Sequence, residues 1–406
     1  MTKERTQEVV ILGGGYAGLM AAVRLANRRV PARVTLVDAK AEFPERIRLH
    51  QVAAGQQLRR RSIPELLRGT GVEFIQGRAS ELDPEAQLVA VQTRDGQRTL
   101  RYDWLLYALG SRVDLSPIPG LRQHTVALDD RSTAKDLAAR LERLGDGRVL
   151  IVGGGLTGIE AAVELAERFP RLAIELVTAG ALGEDLSPAG AAHIRRVFER
   201  HGIALREHAR IEEIQEGVAR LAGGERIPFD ICLWAGGFRA PGLAARAGLP
   251  TNERGQVIVD RTLQVPGHPE ILVAGDAALA PGPGGKPLRM SCAAGQPMGA
   301  HAGDTLARLI RGQEPEPFRF SYILRCISLG RHDGLIQFVA SDDTPRDRVL
   351  TGRAAAVVKE AICRYTLTSV EAERRLRLPL YWWLRPAETA SYALPAGAGT
   401  GVTTDV

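Results

Sequence analysis

Two sets of glycines and a few carboxylates carry the chemistry open to this sequence. Gly13, Gly15 and Gly18 stand in the run Gly13-Gly14-Gly15-Tyr16-Ala17-Gly18, after the apolar stretch Val9–Leu12. Gly13 permits a tight turn, Gly15 lets backbone approach a pyrophosphate, and Gly18 lets the following helix pack on the strand. The helix N-terminus offers free N–H groups and a partial positive charge to the phosphates, so Tyr16 and Ala17 are candidate binding residues too. Asp38, twenty residues after Gly18, ends Ala32–Val37, where a carboxylate can accept hydrogen bonds from ribose hydroxyls. The set returns as Gly153, Gly155, Thr157 and Gly158, after Arg148–Val152. Two such sets imply two dinucleotides; one could be a bound flavin and the other a diffusible nicotinamide, an arrangement that moves hydride between them.

The second set differs at one point. Twenty residues after Gly158 stands Thr178, which is neutral, and Ala179–Gly183 brings no arginine. A strand-end acid would repel a 2′-phosphate and an arginine would select it. With neither, the expectation is use of both NADH and NADPH, with a modest preference for NADPH. Gly275-Asp276 closes the apolar run Ile271–Ala274 and offers a carboxylate suited to polyol hydroxyls. Ala108-Leu109-Gly110 and Ala235-Gly236-Gly237 are small-residue turns after apolar strands, fit for close passage of a dinucleotide. Arg46, Arg48 and His50, in a Pro- and charge-rich stretch, could face a flavin ring or its substrate, or simply the surface.

Positioning these residues takes alternating strands and helices. The expected fold is α/β, with two Rossmann-like dinucleotide-binding domains, the second inserted in the first, and a small C-terminal α+β domain. The boundaries are 1–115 with 255–312, then 116–254, 313–386, and a disordered tail over 387–406. An internal repeat supports this: Tyr102-Asp103 and Phe229-Asp230 each precede an apolar strand and a glycine turn. A hairpin is expected over 86–104. Leu288–Ile310 reads as a helix that Pro297 should begin or interrupt. Residues 321–339 read as a hairpin, and Arg353–Thr366 as a helix with an apolar stripe. Leu380-Tyr381-Trp382-Trp383-Leu384-Arg385 suits a lipid interface, or else completes a core or a homodimer contact.

The chain of 406 residues has an ordinary balance, 45% hydrophobic and 25% charged, and a formal charge of +6. The excess charge reads first as an arginine-rich solvated surface and second as an attraction to anionic cofactors or an anionic membrane face; no helix-turn-helix or zinc-finger signature is present. The four cysteines form no C-x-x-C, so neither a redox dithiol beside a flavin nor a metal site is expected. The first strand begins almost at once after Lys3-Glu4-Arg5, and no apolar run reaches the roughly 20 residues of a membrane span. The expected location is the cytoplasm, with a peripheral place on the inner face of the cell membrane left open.

These motifs resemble those of the two-dinucleotide-binding-domain flavoproteins, and among them type II NADH dehydrogenases, single-chain NAD(P)H:quinone oxidoreductases. The resemblance covers residues 8–311 well. It implies FAD at the first fingerprint, NADH or NADPH at the second, Asp38 on the FAD adenosine ribose and Asp276 on the ribityl side. It places Leu49–Ala53, with His50, near the flavin ring. It also implies that Glu160 positions nicotinamide or assists proton transfer, where the residue-level alternative is a carboxylate stabilised by the helix dipole. The implied activity is hydride transfer from nicotinamide to flavin and on to a quinone-like acceptor. Alternatives are reduction of a redox protein or a specialised-metabolite quinone, and a slow-turnover redox sensor. The family's quinone motif A-Q-x-A-x-Q is not in register with Ser291–Pro297, and the cysteine relay of a sulfide:quinone reductase has no counterpart in the sequence.

Overall fold

The computed structural model describes residues 5–386. The proposed disorder of the tail lies outside them. Gln7–Leu12 and Trp104–Tyr107 are almost wholly apolar and buried, so they take central places in a parallel sheet covered on both faces. That sheet has eight strands in the order Gln264–Val265, His268–Val273, Trp104–Tyr107, Gln7–Leu12, Ala32–Asp38, Glu73–Asp83, Leu88–Thr93 and Gly96–Arg101. Strands from residues 7–107 and from 264–273 therefore build one sheet. The last three strands are antiparallel, the hairpin expected near 86–104.

A second sheet runs Ala204–Arg206, Leu172–Val177, Gly147–Val152 and Ile231–Trp234, all parallel. The internal repeat holds at the level of single hydrogen bonds. Asp103 accepts the Glu8 amide at 2.8 Å, and Asp230 accepts the Arg148 amide at 2.7 Å. Each aspartate thus fastens the start of the strand that leads into a glycine turn. The α/β class with two Rossmann-like sheets is as expected.

Five helices matter for the site: α1 (Tyr16–Asn27), α2 (Leu49–Ala53), α3 (Leu156–Arg168), α4 (Cys292–Ile310) and α5 (Gly352–Leu376). Pro297 lies inside α4, which runs through it without a break, against expectation. An interior proline costs about 3 kcal/mol; close packing on α1 offsets it. A Cβ on Gly299 would lie 2.2 Å from the Ala17 carbonyl oxygen, so only glycine lets the two helices meet there. Helix α5 runs ten residues beyond the end its apolar stripe suggested, ending at Leu376 rather than Thr366. Its added turns are held by burial of Leu367 and Val370 and by Glu373, which pairs with Arg24 of α1 at 2.9 Å and through a second, shorter contact. Before α5 come three antiparallel strands, Leu324–Ser328, Gly334–Val339 and Pro345–Thr351, the first two being the expected hairpin.

Candidate active site

The two glycine turns have the same geometry. Gly13 and Gly153 have φ of +103° and +121°, which side chains rarely adopt. Gly13 donates to Val37 O at 2.7 Å and Gly153 to Val177 O at 2.8 Å. Gly15 and Gly155 are the N-caps of α1 and α3. A Cβ on Gly18 would lie 1.9 Å from Gly13 O, and one on Gly158 2.0 Å from Gly153 O, so these glycines serve packing. A Cβ on Gly15 or Gly155 meets nothing within 4 Å. Space is therefore reserved in front of each helix N-terminus, as a pyrophosphate requires, and the residues present fit a dinucleotide at both turns.

Both turns open into one cavity of about 1510 Å³. Gly18, Gly158 and Arg48 do not line it, whereas Asp38, Ala108, Gly110, Thr178, Gly236, Gly237, Gly275, Asp276, His50 and Glu160 all do. Arg46 lines it as well, whereas Arg48 turns to Glu360 at 2.8 Å. Asp38 accepts the Gly14 amide at 2.7 Å. Asp276 accepts from the Ser111 hydroxyl at 2.7 Å, which fixes the carboxylate in the cavity wall.

Glu160, one turn into α3, is buried among polar partners. The Ser328 amide donates to it at 3.0 Å and the Lys359 ammonium at 2.9 Å. Burial alone would raise its carboxyl; the Lys359 charge and the Ser328 amide outweigh that and hold it below the ordinary value. Burial likewise opposes the Lys359 charge, and Glu160 keeps it well above the usual lysine value. The pair is therefore ionised. His50 Nδ1 stands 3.6 Å from Glu160, too far for a hydrogen bond. Burial pushes His50 down to about 4, so its ring is neutral near pH 7. Its Nε2 is buried with no hydrogen-bond partner among the described residues, as expected of a group that meets a bound molecule.

Sequence reasoning missed Lys359 and Ser111. Lys359 had a signal. It falls in helical step with Ala355, Cys363 and Val370, all buried, so a lone cation stands on the inward stripe of α5. The glutamine of α4 has a structural partner: Gln296 Nε2 donates to Thr366 O at 2.8 Å and Ser369 Oγ at 2.9 Å. The four cysteines are free, and burial pushes Cys232 and Cys363 up to about 12 and about 11, so both stay protonated thiols.

The model of one family, described as pyridine nucleotide-disulphide oxidoreductase, matches residues 7–302. The chain belongs to this family. Among curated relatives, an NADH dehydrogenase-like protein of Mycobacterium tuberculosis is 28% identical over 376 residues, 87% of this chain and 92% of that one. Demethylphylloquinone reductase of Synechocystis is 26% identical over 404 residues, 95% of this chain and 98% of that one. Among solved structures, the sulfide:quinone oxidoreductase of Aquifex aeolicus superposes with a TM-score of 0.78 at 20% identity, covering 90% of this chain and 92% of that one. That likeness is one of fold. The resemblance to NADH dehydrogenase-like flavoproteins holds.

Proposed function

We propose that the protein is an FAD-dependent NAD(P)H oxidoreductase that delivers electrons to a quinone or quinone-like acceptor. The observation that carries this reading is the opening of both dinucleotide turns into one cavity. The names of the relatives, an NADH dehydrogenase-like protein and a quinone reductase, agree with it. On this reading residues 1–115 with 255–312 hold FAD, 116–254 hold the nicotinamide nucleotide, and 313–386 cover the acceptor side. Bound flavin would accept hydride and release electrons to the acceptor. The chain's own part is positioning. Asp38 would take the adenosine ribose of FAD, and Asp276, steadied by Ser111, its ribityl side. Glu160, held ionised by Lys359, would place the nicotinamide or relay a proton, with neutral His50 beside it.

A lipid-soluble acceptor has specific support. Tyr365 and Tyr381 line the cavity, stacked at 5.9 Å, and Tyr381 is flanked in sequence by the exposed apolar residues Leu380 and Trp382, with Leu376 and Leu378 just before them. Among the described residues no helix is long and apolar enough to cross a membrane. We infer peripheral attachment through this patch. The test is direct. Purified protein should be yellow, NADH should bleach it, and a short-chain quinone should restore the colour with rapid turnover. A colourless protein that FAD cannot reconstitute would refute the flavin assignment. Bleaching without reoxidation by any quinone would leave a reductase of a redox protein or a slow sensor.

A further inference from the structure

The second parallel sheet ends beside its glycine turn in Thr178, not in a carboxylate. The matching bonds from Gly13 and Gly153 put Thr178 where Asp38 stands in the first unit. Its side chain packs at the corresponding glycine: a Cβ on Gly154 would lie 2.6 Å from Thr178 Oγ1. The chain then turns and brings a carboxylate back. Glu184 folds over Gly180, where a Cβ would lie 2.3 Å from Oε2 and 3.1 Å from Oε1. Only glycine at 180 permits this approach. Thr178, Gly180 and Glu184 line the same cavity.

The loop that carries Glu184 is pinned from outside. The Leu182 amide donates to Glu207 at 2.6 Å, and the His208 amide to Gly180 O at 3.2 Å. Glu207 is engaged by both terminal nitrogens of Arg195, each at 2.6 Å, so it is committed to holding the loop. Arg206, whose carbonyl accepts from the Thr178 amide, gives its guanidinium to Glu175 at 2.9 Å and Glu225 at 2.6 Å. Among the described residues no ion pair engages Glu184, which is exposed and lines the cavity.

We propose that Glu184 reads the adenosine ribose of the nicotinamide nucleotide. Its carboxylate accepts hydrogen bonds from the 2′- and 3′-hydroxyls and repels a 2′-phosphate, the work a strand-end acid does elsewhere. The preference expected from Thr178 alone is thereby reversed: NADH is favoured over NADPH. This rests on the assignment of the second glycine turn to a nicotinamide nucleotide.

The probes are ADP-ribose and 2′-phospho-ADP-ribose, which carry no redox group, titrated calorimetrically into the flavin-loaded protein. ADP-ribose should bind at least about ten-fold tighter, the scale of one well-placed charge contact. Glu184→Gln removes the charge and keeps the shape; it should cut that ratio about ten-fold, chiefly by tightening the phosphorylated ligand. Gly180→Ala leaves Glu184 in the chain but forces its carboxylate aside, and should shift the ratio in the same direction. Asp185→Asn, which removes the same charge one residue on, should leave the ratio unchanged. The kcat/KM ratio for NADH and NADPH should follow the same order. Binding of both ligands with equal affinity, or a ratio unmoved by both Glu184→Gln and Gly180→Ala, would overturn the role of Glu184 while leaving the nucleotide assignment standing. Failure of both ligands to bind, with neither nucleotide reducing the flavin, would overturn the nucleotide assignment and this inference with it.

Discussion

Lys359 and Glu160 meet at 2.9 Å with both side chains nearly out of water. Removing one partner from such a pair leaves an uncompensated buried charge, at a cost of about 3–5 kcal/mol. Lys359→Met should therefore lower unfolding stability by that order, and the double variant with Glu160→Gln should recover most of it. Urea unfolding measures this. Equal losses in the single and double variants would show that Lys359 stabilises through packing rather than charge. A second residue-scale expectation concerns acid. His301 is buried beside Phe318, 5.2 Å between rings, and burial lowers it from 6.5 to about 4. The unfolded chain takes up the proton first, so stability is complete above about pH 6.5 and falls as pH drops toward 4. At pH 5 the loss from this one group is on the order of 2 kcal/mol. His301→Leu cannot titrate, so its drop in Tm between pH 7 and pH 5 should be smaller than that of the wild type. An equal drop would assign the acid sensitivity to other groups, His50 first.

At the scale of the strand–turn–helix unit, the glycines divide into those that serve the fold and those that serve the ligand. Gly15→Val should fold, because its side chain meets open space, yet fail to retain flavin. Gly155→Val should stay yellow and lose reduction by NADH. Gly18→Val and Gly158→Val should fail earlier, in soluble yield, because their Cβ atoms would strike a backbone carbonyl near 2 Å. Circular dichroism with the flavin absorbance separates these classes. A flavin-loaded Gly15→Val would show that the pyrophosphate passes elsewhere. Helices α4 and α5 behave as one layer on α1, joined by Gln296 to Thr366 and by Glu373 to Arg24. Truncation before Glu373 would remove the more deeply buried of the two carboxylates that face Arg24 and leave it Asp304 alone, so the C-terminal segment is better probed by substitution.

For the whole molecule the open question is what covers the apolar patch beyond α5. The tryptophan pair divides. Trp383 is 5% exposed, its ring nitrogen donating to Arg319 O at 2.8 Å, and belongs to the core. Trp382 is 68% exposed, beside Leu380 and Leu378. Replacing Leu378, Leu380 and Trp382 with serine should abolish flotation with anionic vesicles and leave Tm within about 1 °C, since surface exchanges away from the core change stability little. Unchanged flotation would refute membrane attachment by this patch. Loss of a dimer on size exclusion, without any flotation of the wild type, would assign the patch to a second copy of the chain.

The sequence by itself determined the parts that are built locally. Strand, glycine turn and helix fall within about thirty residues, so residue type and spacing are enough to place Gly13 to Asp38, Gly153 to Thr178, and the Asp103–Asp230 repeat. The same holds for the absence of an acid at the second strand end. What lay across long separations was decided only by the tertiary structure. Arg24 and Glu373 pair over 349 residues, and no periodicity announces a partner at that distance. Lys359, a cation on an apolar stripe, was passed over, and only the tertiary contact itself could name Glu160 as its partner. Pro297 would end an isolated helix; burial against α1 kept α4 whole. Thr178 was placed correctly by counting, yet Glu184 reaches Gly180 through a loop fold fixed by Glu207 and Arg195. Local rules set which groups are present, and the energy of burying charges and helix faces set which of them meet.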